Sequence, residues 1–305
     1  MSLQVLHLPT NIANQTETLV AGLRQHGWKA DALIYRSSFF AYPGSSPGLL
    51  DRHQKWPARG RTIFKTFLNL SRRCDILHFY SGQTFLPGNK DLFLLKMAGR
   101  KMLMHYWGTD IRLYSQAFKK NQFLSRSLTL NLKRERRRMA RIRRVAKIIP
   151  TALVADLELK SYLQGFFKKV ILLPQAIDTS QYPPSFPSPA KTRPLIIHVP
   201  SFQLVKGPEY ILRAIENLKL KHDFDFCLLS RVPHEKVRSI INEADIVIDQ
   251  LLLGTFGIFA LEAMASGKPV VCYLNDAYRQ SYPDSLPIVS ANLDNLETVL
   301  EPLIS

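Results

Sequence analysis

The 305-residue sequence predicts an α/β protein of two doubly wound, Rossmann-like domains. Three observations predict it. Short apolar runs alternate with helical patterns along the whole chain, which is how parallel sheets are built. Residues 182–194 pack five prolines into 13 positions and read as a linker. The charge changes sign at the same place: residues 1–182 hold 30 Lys and Arg against 10 Asp and Glu, and residues 183–305 hold 11 against 14. The division that follows is a strongly basic N-terminal domain at 1–182, a linker at 183–194 and a C-terminal domain at 195–305, with a cleft between the two domains.

The first strand is the apolar run 3–8. The loop Asn11 to Gln15 leads into a helix from Thr16 to His26 that stops at Gly27, and 30–35 form the second strand. Ligands of doubly wound sheets bind beyond the carboxyl ends of the strands. That makes Asn11, Asn14 and Gln15 candidates for a site wall, with an ordinary capping loop as the alternative. Residues 37–61 carry Pro43, Gly44, Pro47, Gly48, Pro57 and Gly60 and read as a long loop. Its Phe39, Phe40, Tyr42 and Trp56 are either acceptor or lipid contacts or part of a surface insertion. Strands follow at 74–80 and 101–107, with a helix at 91–98. His78 and His105 lie near the carboxyl ends of these strands, and Asp110 follows His105 after a glycine turn.

The segment 128–146 is the most basic of all. Leu128, Leu132, Met139, Ile142 and Ala146 suggest one apolar stripe, and Lys133, Arg134, Arg136, Arg137, Arg138, Arg141, Arg143 and Arg144 cover the rest. A basic amphipathic helix of this kind docks on anionic lipid, each basic residue contributing about 1 kcal/mol near the surface; a solvated outer face is the compatible alternative. No aromatic residues are interleaved with the charges, so nucleic acid is not the expected partner. A strand at 147–151, a helix at 154–163 and a strand at 170–174 complete the half.

The second half repeats the alternation: strand 195–200, loop 201–207, helix 208–218 opened by Pro208, strand 224–230, helix 233–243, strand 246–250. Next come a glycine loop with Gly254 and Gly257 around Thr255 and Phe256, a helix apolar on every side except at Glu262, and a strand at 269–274. A carboxylate on a buried helix is costly unless paired. Glu262 lies about 7.5 Å along the axis from Gly257, at ~1.5 Å per residue, close to the span from a diphosphate to its ribose hydroxyls. The free N–H groups of the loop suit an anion. One nucleotide held at both ends fits this spacing; a buried Lys or Arg partner for Glu262 is the alternative.

Composition limits the rest. Cys74, Cys227 and Cys272 are scattered and show no metal-ligand spacing, so reduced thiols are expected. No apolar stretch approaches the roughly 20 residues of a membrane span, and the start lacks a signal-peptide pattern, so the expected location is the cytoplasm.

The stretch from Phe256 to Val271, with Glu262, Gly267 and Pro269, resembles the F-G-x-x-x-x-E-A-M-A-x-G-x-P-V-V of GT-B glycosyltransferases of the large retaining family 4. Lys206-Gly207, the run 243–245, Pro174 to Asp178 and the run from His105 through Gly108 and Asp110 to Arg112 are similar to further segments of that family. The resemblance implies two Rossmann-like domains, a nucleotide-diphosphate-sugar donor, transfer with retention to a saccharide or lipid-linked acceptor, and no metal or other cofactor. It places Glu262 on the ribose, Lys206 and the amides at Phe256 and Gly257 on the phosphates, and His105 near the donor sugar. Cell-surface polysaccharide or glycolipid synthesis at the inner face of the membrane would suit such an enzyme. Three departures stand out. The family's first glutamate falls on Gly254 and its phosphate-binding arginine on Ser201; the glycine pair usual after the first strand is replaced by Asn11 to Gln15; and the second domain is short at its C-terminus. These leave a non-catalytic GT-B subunit with a protein partner as the alternative.

Overall fold

The computed structural model describes residues 3–36, 48–50, 56–200, 203–230 and 232–305. Phe39, Phe40, Tyr42 and Ser201 lie outside the described residues. Along the chain run β1 (Gln4–Leu8), α1 (Gln15–Gln25), β2 (Lys29–Ala32), α2 (Trp56–Arg73), β3 (Ile76–Tyr80), α3 (Leu92–Met97) and β4 (Lys101–Tyr106). Then come α4 (Tyr114–Lys120), α5 (Leu124–Ser127), α6 (Leu132–Ala146), β5 (Thr151–Val154), α7 (Leu157–Leu163) and β6 (Lys169–Leu172). The remainder holds β7 (Leu195–His198), α8 (Gln203–Lys206), α9 (Pro208–Lys219), β8 (Asp225–Leu228), α10 (His234–Glu243) and β9 (Ile246–Ile248). It closes with α11 (Ile258–Ala265), β10 (Val270–Cys272), α12 (Asp276–Arg279), β11 (Ile288–Ser290) and α13 (Leu296–Ile304).

The chain divides into two compact units, Met1–Leu113 with Asn131–Ala176, and Tyr114–Leu130 with Ile177–Ser305. The first unit holds a six-stranded sheet in the order β2-β1-β3-β4-β5-β6, and every neighbouring pair is parallel. Its strands bury Leu8, Leu77, Phe79, Met104 and Val154 completely, each worth about 1.5–3 kcal/mol against exposure. The second unit holds a five-stranded parallel sheet, β11-β10-β9-β7-β8. Ile196, Ile211, Ile248 and Leu300 pack on one of its faces, and Ile197, Ile241, Val247 and Ala263 on the other. Each sheet reverses its winding once, between β1 and β3 in the first and between β7 and β9 in the second. Those switch points open a crevice at the carboxyl ends of the strands.

Several expected elements are corrected. The loop expected over 37–61 ends early, because α2 begins at Trp56 and continues to Arg73, with Ile63 and Phe67 buried one turn apart. The strand expected at 147–151 is a helix end: Ile148 and Ile149 both donate their N–H groups to the Val145 carbonyl, and the strand starts at Thr151. The apolar stripe expected on α6 also differs. Its buried residues are Glu135, Arg138, Ile142 and Val145, whereas Leu132 is 53% exposed. Arg138 turns inward because its guanidinium donates to the Arg112 carbonyl. It therefore leaves the set of outward cations, and Arg141 is half-buried with its side chain over Gly82; Lys133, Arg134, Arg136, Arg137, Arg143 and Arg144 stay exposed. Among the described residues, no helix is long and apolar enough to cross a membrane.

Candidate functional site

In the second unit the expected residues gather at the switch point. β9 ends at Ile248 and the chain turns through 249–257 into α11. Gly257 has an extended backbone, and a Cβ added there would lie 3.5 Å from Asp249 Oδ2, 3.6 Å from Lys206 Nζ and 3.9 Å from Gln250 Oε1. The bare face of this glycine thus opens on a cluster of polar atoms. Lys206 ends α8, buried, just before Gly207 makes a left-handed turn (φ 73°) into the proline-opened α9. Its ammonium pairs with Asp249 Oδ1, and Asp249 Oδ2 accepts the Gly257 N–H at 3.0 Å. Gln250 braces the loop by donating to the Thr255 carbonyl. The buried Thr255 holds its backbone in this way, and Phe256 packs its ring against Tyr282 at 5.0 Å.

Gly254 explains its own departure from the family pattern. Its φ is 79°, and a Cβ there would fall 2.6 Å from Asn275 Cβ and 3.3 Å from the Asn275 nitrogen. Asn275 donates its backbone N–H to the Gly254 carbonyl at 2.9 Å and its side-chain amide to the Lys120 carbonyl at 3.2 Å. A glutamate has neither the conformation nor the room at this position.

Glu262 is buried on α11, and its partner is neither Lys nor Arg. Its Oε1 accepts from the Tyr182 hydroxyl at 2.8 Å and lies 2.7 Å from His234 Nε2. No hydrogen bond to Oε2 is found among the described residues. Tyr182 comes from the proline-rich stretch and carries the Arg238 guanidinium over its ring at 5.4 Å. The same stretch is fixed further on, where the Ser185 N–H donates to the Ser266 carbonyl at 2.8 Å.

The first unit places His105 at the carboxyl end of β4, fully buried. Trp107 stacks on it at 4.1 Å between ring centres, and Tyr80 lies on the neighbouring strand at 5.6 Å. His105 Nδ1 is 3.2 Å from His78 Nε2, and His7 Nδ1 is 2.7 Å from the Tyr80 hydroxyl. Burial pushes His105 down to about 3 and His7 to about 4, and it holds His78 well below the usual range, so all three are neutral at pH 7. Asp110 accepts the N–H groups of Trp107 and Gly108 at 3.1 and 2.8 Å, fixing the turn after β4. Arg112 forms a two-point pair with Glu158 at 2.7 and 2.6 Å. In the β1–α1 loop, Asn11 Oδ1 accepts the Thr16 N–H at 3.2 Å and the Asn11 amide donates to Asn14 at 3.2 Å. Gln15 bonds the Ala176 backbone through both ends of its amide, at 2.7 and 2.9 Å.

Sequence reasoning missed Asp249, His234 and Tyr182. A polar residue directly after Ile246 to Ile248 was a visible signal for Asp249, since it marks the end of a buried strand at a switch point. His234 and Tyr182 reach Glu262 from 28 and 80 residues away, and neither spacing nor periodicity encodes such pairings. Among the described residues no group of acidic, His or Cys side chains is arranged to hold a metal.

Residues 224–281 match the family model described as glycosyl transferases group 1. No curated protein sequence matches the chain. Among solved structures, the chain is similar to sucrose-phosphate synthase from Thermosynechococcus elongatus at 12% identity and a TM-score of 0.64, covering 100% of this chain and 89% of that one. It is similar to WaaG, a glycosyltransferase involved in lipopolysaccharide biosynthesis, at 13% and 0.62, covering 99% and 90%. The catalytic domain of starch synthase IV from Arabidopsis thaliana, bound to ADP and acarbose, matches at 13% and 0.60, covering 100% and 96%. Likeness at such identities shows the fold, which is GT-B.

Proposed function

We propose that this chain, which resembles the glycosyl transferases group 1 and has the GT-B fold, moves a sugar from a nucleotide-diphosphate sugar to a saccharide or lipid-linked acceptor with retention. The observation that carries the reading is the cluster around α11. It brings a buried ammonium, a loop N–H at the start of the helix and a carboxylate one turn and a half further along into one site. Lys206 and the Phe256 and Gly257 amides would stand where negative charge builds on the departing β-phosphate, which is where fixed donors accelerate a reaction most. Glu262, held at Oε1 by Tyr182 and His234, offers Oε2 to the ribose hydroxyls. His105 would serve the donor sugar as a neutral hydrogen-bonding group, because burial keeps it uncharged. With no nucleophile assigned, retention rests on positioning and on the leaving phosphate as base. Asn11, Asn14, Gln15 and Asp110 shape the acceptor-side loops through the bonds they make. The nucleotide-binding domain is assigned to 195–305, and 183–194 to the linker. A hexosyl donor and a cytoplasmic membrane setting, in polysaccharide or glycolipid synthesis, suit the outward cations Lys133, Arg134, Arg136, Arg137, Arg143 and Arg144 of α6, which would meet anionic lipid headgroups.

The test is a thermal-shift screen of UDP-, GDP- and ADP-sugars. A ligand bound only to the folded state raises stability by RT ln(1 + [L]/Kd). One nucleotide class should stabilise the wild type, and Glu262→Ala and Lys206→Ala should lose both that shift and transfer while remaining folded. Full transfer by both variants would refute the site. A second reading, a non-catalytic subunit requiring a partner chain, is favoured by Gly254, whose surroundings exclude the family's first glutamate. Saturable nucleotide binding and turnover by the purified chain would dismiss it.

A further inference from the structure

We infer that Asp249 is an internal occupant of the proposed diphosphate site and that its charge sets the site's choice between sugar nucleotide and free nucleoside diphosphate. The inference rests on the donor-site reading above. Asp249 is completely buried at the carboxyl end of β9, on the switch point of the second sheet. One carboxylate oxygen takes the Lys206 ammonium and the other takes the Gly257 N–H. These are the two groups that a diphosphate needs, and this chain's own carboxylate engages both. The bare side of Gly257 faces the same atoms, with Asp249 Oδ2 and Lys206 Nζ 3.5 and 3.6 Å from where a Cβ would lie. Gln250, the other polar side chain at that face, is turned to the Thr255 carbonyl.

The arrangement has two physical consequences. A buried ammonium needs a counter-charge, and Asp249 supplies it in the absence of ligand, keeping Lys206 in place. Lys206 and Asp249 together are neutral, so an arriving diphosphate meets loop amides and a cation whose charge is already matched. Every additional negative charge on the ligand is then opposed by the carboxylate. A sugar nucleotide has both phosphates esterified. Cleaving the sugar frees a terminal phosphate whose second pKa is about 6, so the product carries roughly one more negative charge at pH 7. One extra charge about 5 Å from a carboxylate, at an effective dielectric of roughly 20, corresponds to more than a tenfold change in affinity, which salt reduces. Asp249 therefore weakens the hold on the product more than on the donor. The same charge opposes the negative charge growing on the leaving phosphate, so it slows bond cleavage somewhat while it favours product release. Release, rather than chemistry, limits turnover in many enzymes.

Titration calorimetry of the full chain with UDP, GDP and ADP, and with UDP-glucose, GDP-mannose and ADP-glucose, tests the inference. The wild type should bind the matching sugar nucleotide at least as tightly as the free diphosphate. Asp249→Asn should tighten the free diphosphate by about tenfold and the sugar nucleotide by clearly less. Asp249→Ser, uncharged and smaller, should do the same and serves if the asparagine variant does not fold. Equal tightening of both ligands, or none, overturns the inference. So does a wild type that already binds the free diphosphate about tenfold more tightly than its sugar nucleotide, a result that needs no variant. No saturable binding of any of these ligands by the wild type overturns the donor-site reading and the inference with it.

Discussion

Gly254→Glu restores the residue that the family resemblance expects, and the structure gives a magnitude for its failure. The backbone there sits at φ 79°, which costs an L-residue about 1–2 kcal/mol. The new Cβ would fall 2.6 Å from Asn275 Cβ. Both atoms are bonded directly to main chain, so no flexible side-chain tip can move aside, and the 275 backbone itself must shift. Overpacking of that kind costs about 1–3 kcal/mol, so the total is about 2–5 kcal/mol, a large share of the ~5–15 kcal/mol that holds a typical protein folded. Gly254→Ala isolates these backbone and Cβ effects, and Gly22→Ala is the control. Gly22 lies inside α1 without a positive φ and with nothing within 4 Å of the added Cβ, so alanine should stabilise it by about 0.4–1 kcal/mol. Urea unfolding followed by circular dichroism measures all three, with donor titration alongside. Gly254→Glu and Gly254→Ala should both unfold at lower urea, and neither should bind the donor more tightly. A glutamate variant as stable as the wild type, with tighter donor binding, would refute the packing argument and show that the loop accepts the family residue.

Arg112→Ala leaves Glu158 as a buried carboxylate without its two-point partner and should cost about 3–5 kcal/mol in urea unfolding; a loss below ~1 kcal/mol would place the pair at a solvated surface. Burial holds His7 near 4 and His105 near 3, so the unfolded chain takes up protons that the folded one refuses once the pH drops below about 6.5. Stability is then retained above that pH and lost as the pH falls toward 4, by up to about 1.4 kcal/mol per pH unit for each histidine. Asp156, raised by burial to about 6, acts in the opposite sense over part of this window. The informative measurement is therefore the difference in pH slope between wild type and His105→Gln from pH 7 to 5, and identical slopes would contradict a buried neutral His105. Burial pushes the Cys272 thiol well above its ordinary value, so maleimide at pH 7.5 should label it only after unfolding; rapid labelling of the folded chain would contradict that burial.

The parallel sheets were legible because their strands are buried on both faces and so appear as near-continuous apolar runs, as at 246–248 and, with His78 as the one break, at 76–80. Edge strand β11 is three residues long, Ile288–Ser290, with only its first residue buried, and leaves no such mark. Helix α2 was hidden by Pro57 and Gly60, which suggest a loop, yet Pro57 sits in its first turn, where proline is tolerated, and Gly60 only just beyond it. On α6 the charge pattern misled, since Arg138 is the right residue type for solvent but turns inward to the Arg112 carbonyl. The site followed the same division. Lys206, Gly257 and Glu262 could be found from one local stretch and a resemblance, whereas the carboxylate that joins Lys206 to Gly257 lies 43 residues from the lysine.

The two switch points carry opposite chemistry, and that contrast explains which half should recognise what. At the first, His78, Tyr80, His105 and Trp107 stack and His7 packs tilted against His78, at 4.1–6.4 Å between neighbouring rings, and burial keeps the histidines neutral despite the surplus of Lys and Arg in that half of the chain. Neutral rings with hydrogen-bonding edges present no charge to an approaching ligand, in keeping with the role proposed for His105 beside the uncharged donor sugar. The second buries Lys206, Asp249 and Glu262, with Lys206 and Asp249 in an ion pair, an environment that suits a diphosphate and makes binding depend on charge balance. Part of the positive charge of the first half lies on the exposed face of α6, at Lys133, Arg134, Arg136, Arg137, Arg143 and Arg144. Screening by salt should weaken the proposed attachment of α6 to an anionic surface long before it weakens contacts to a neutral sugar.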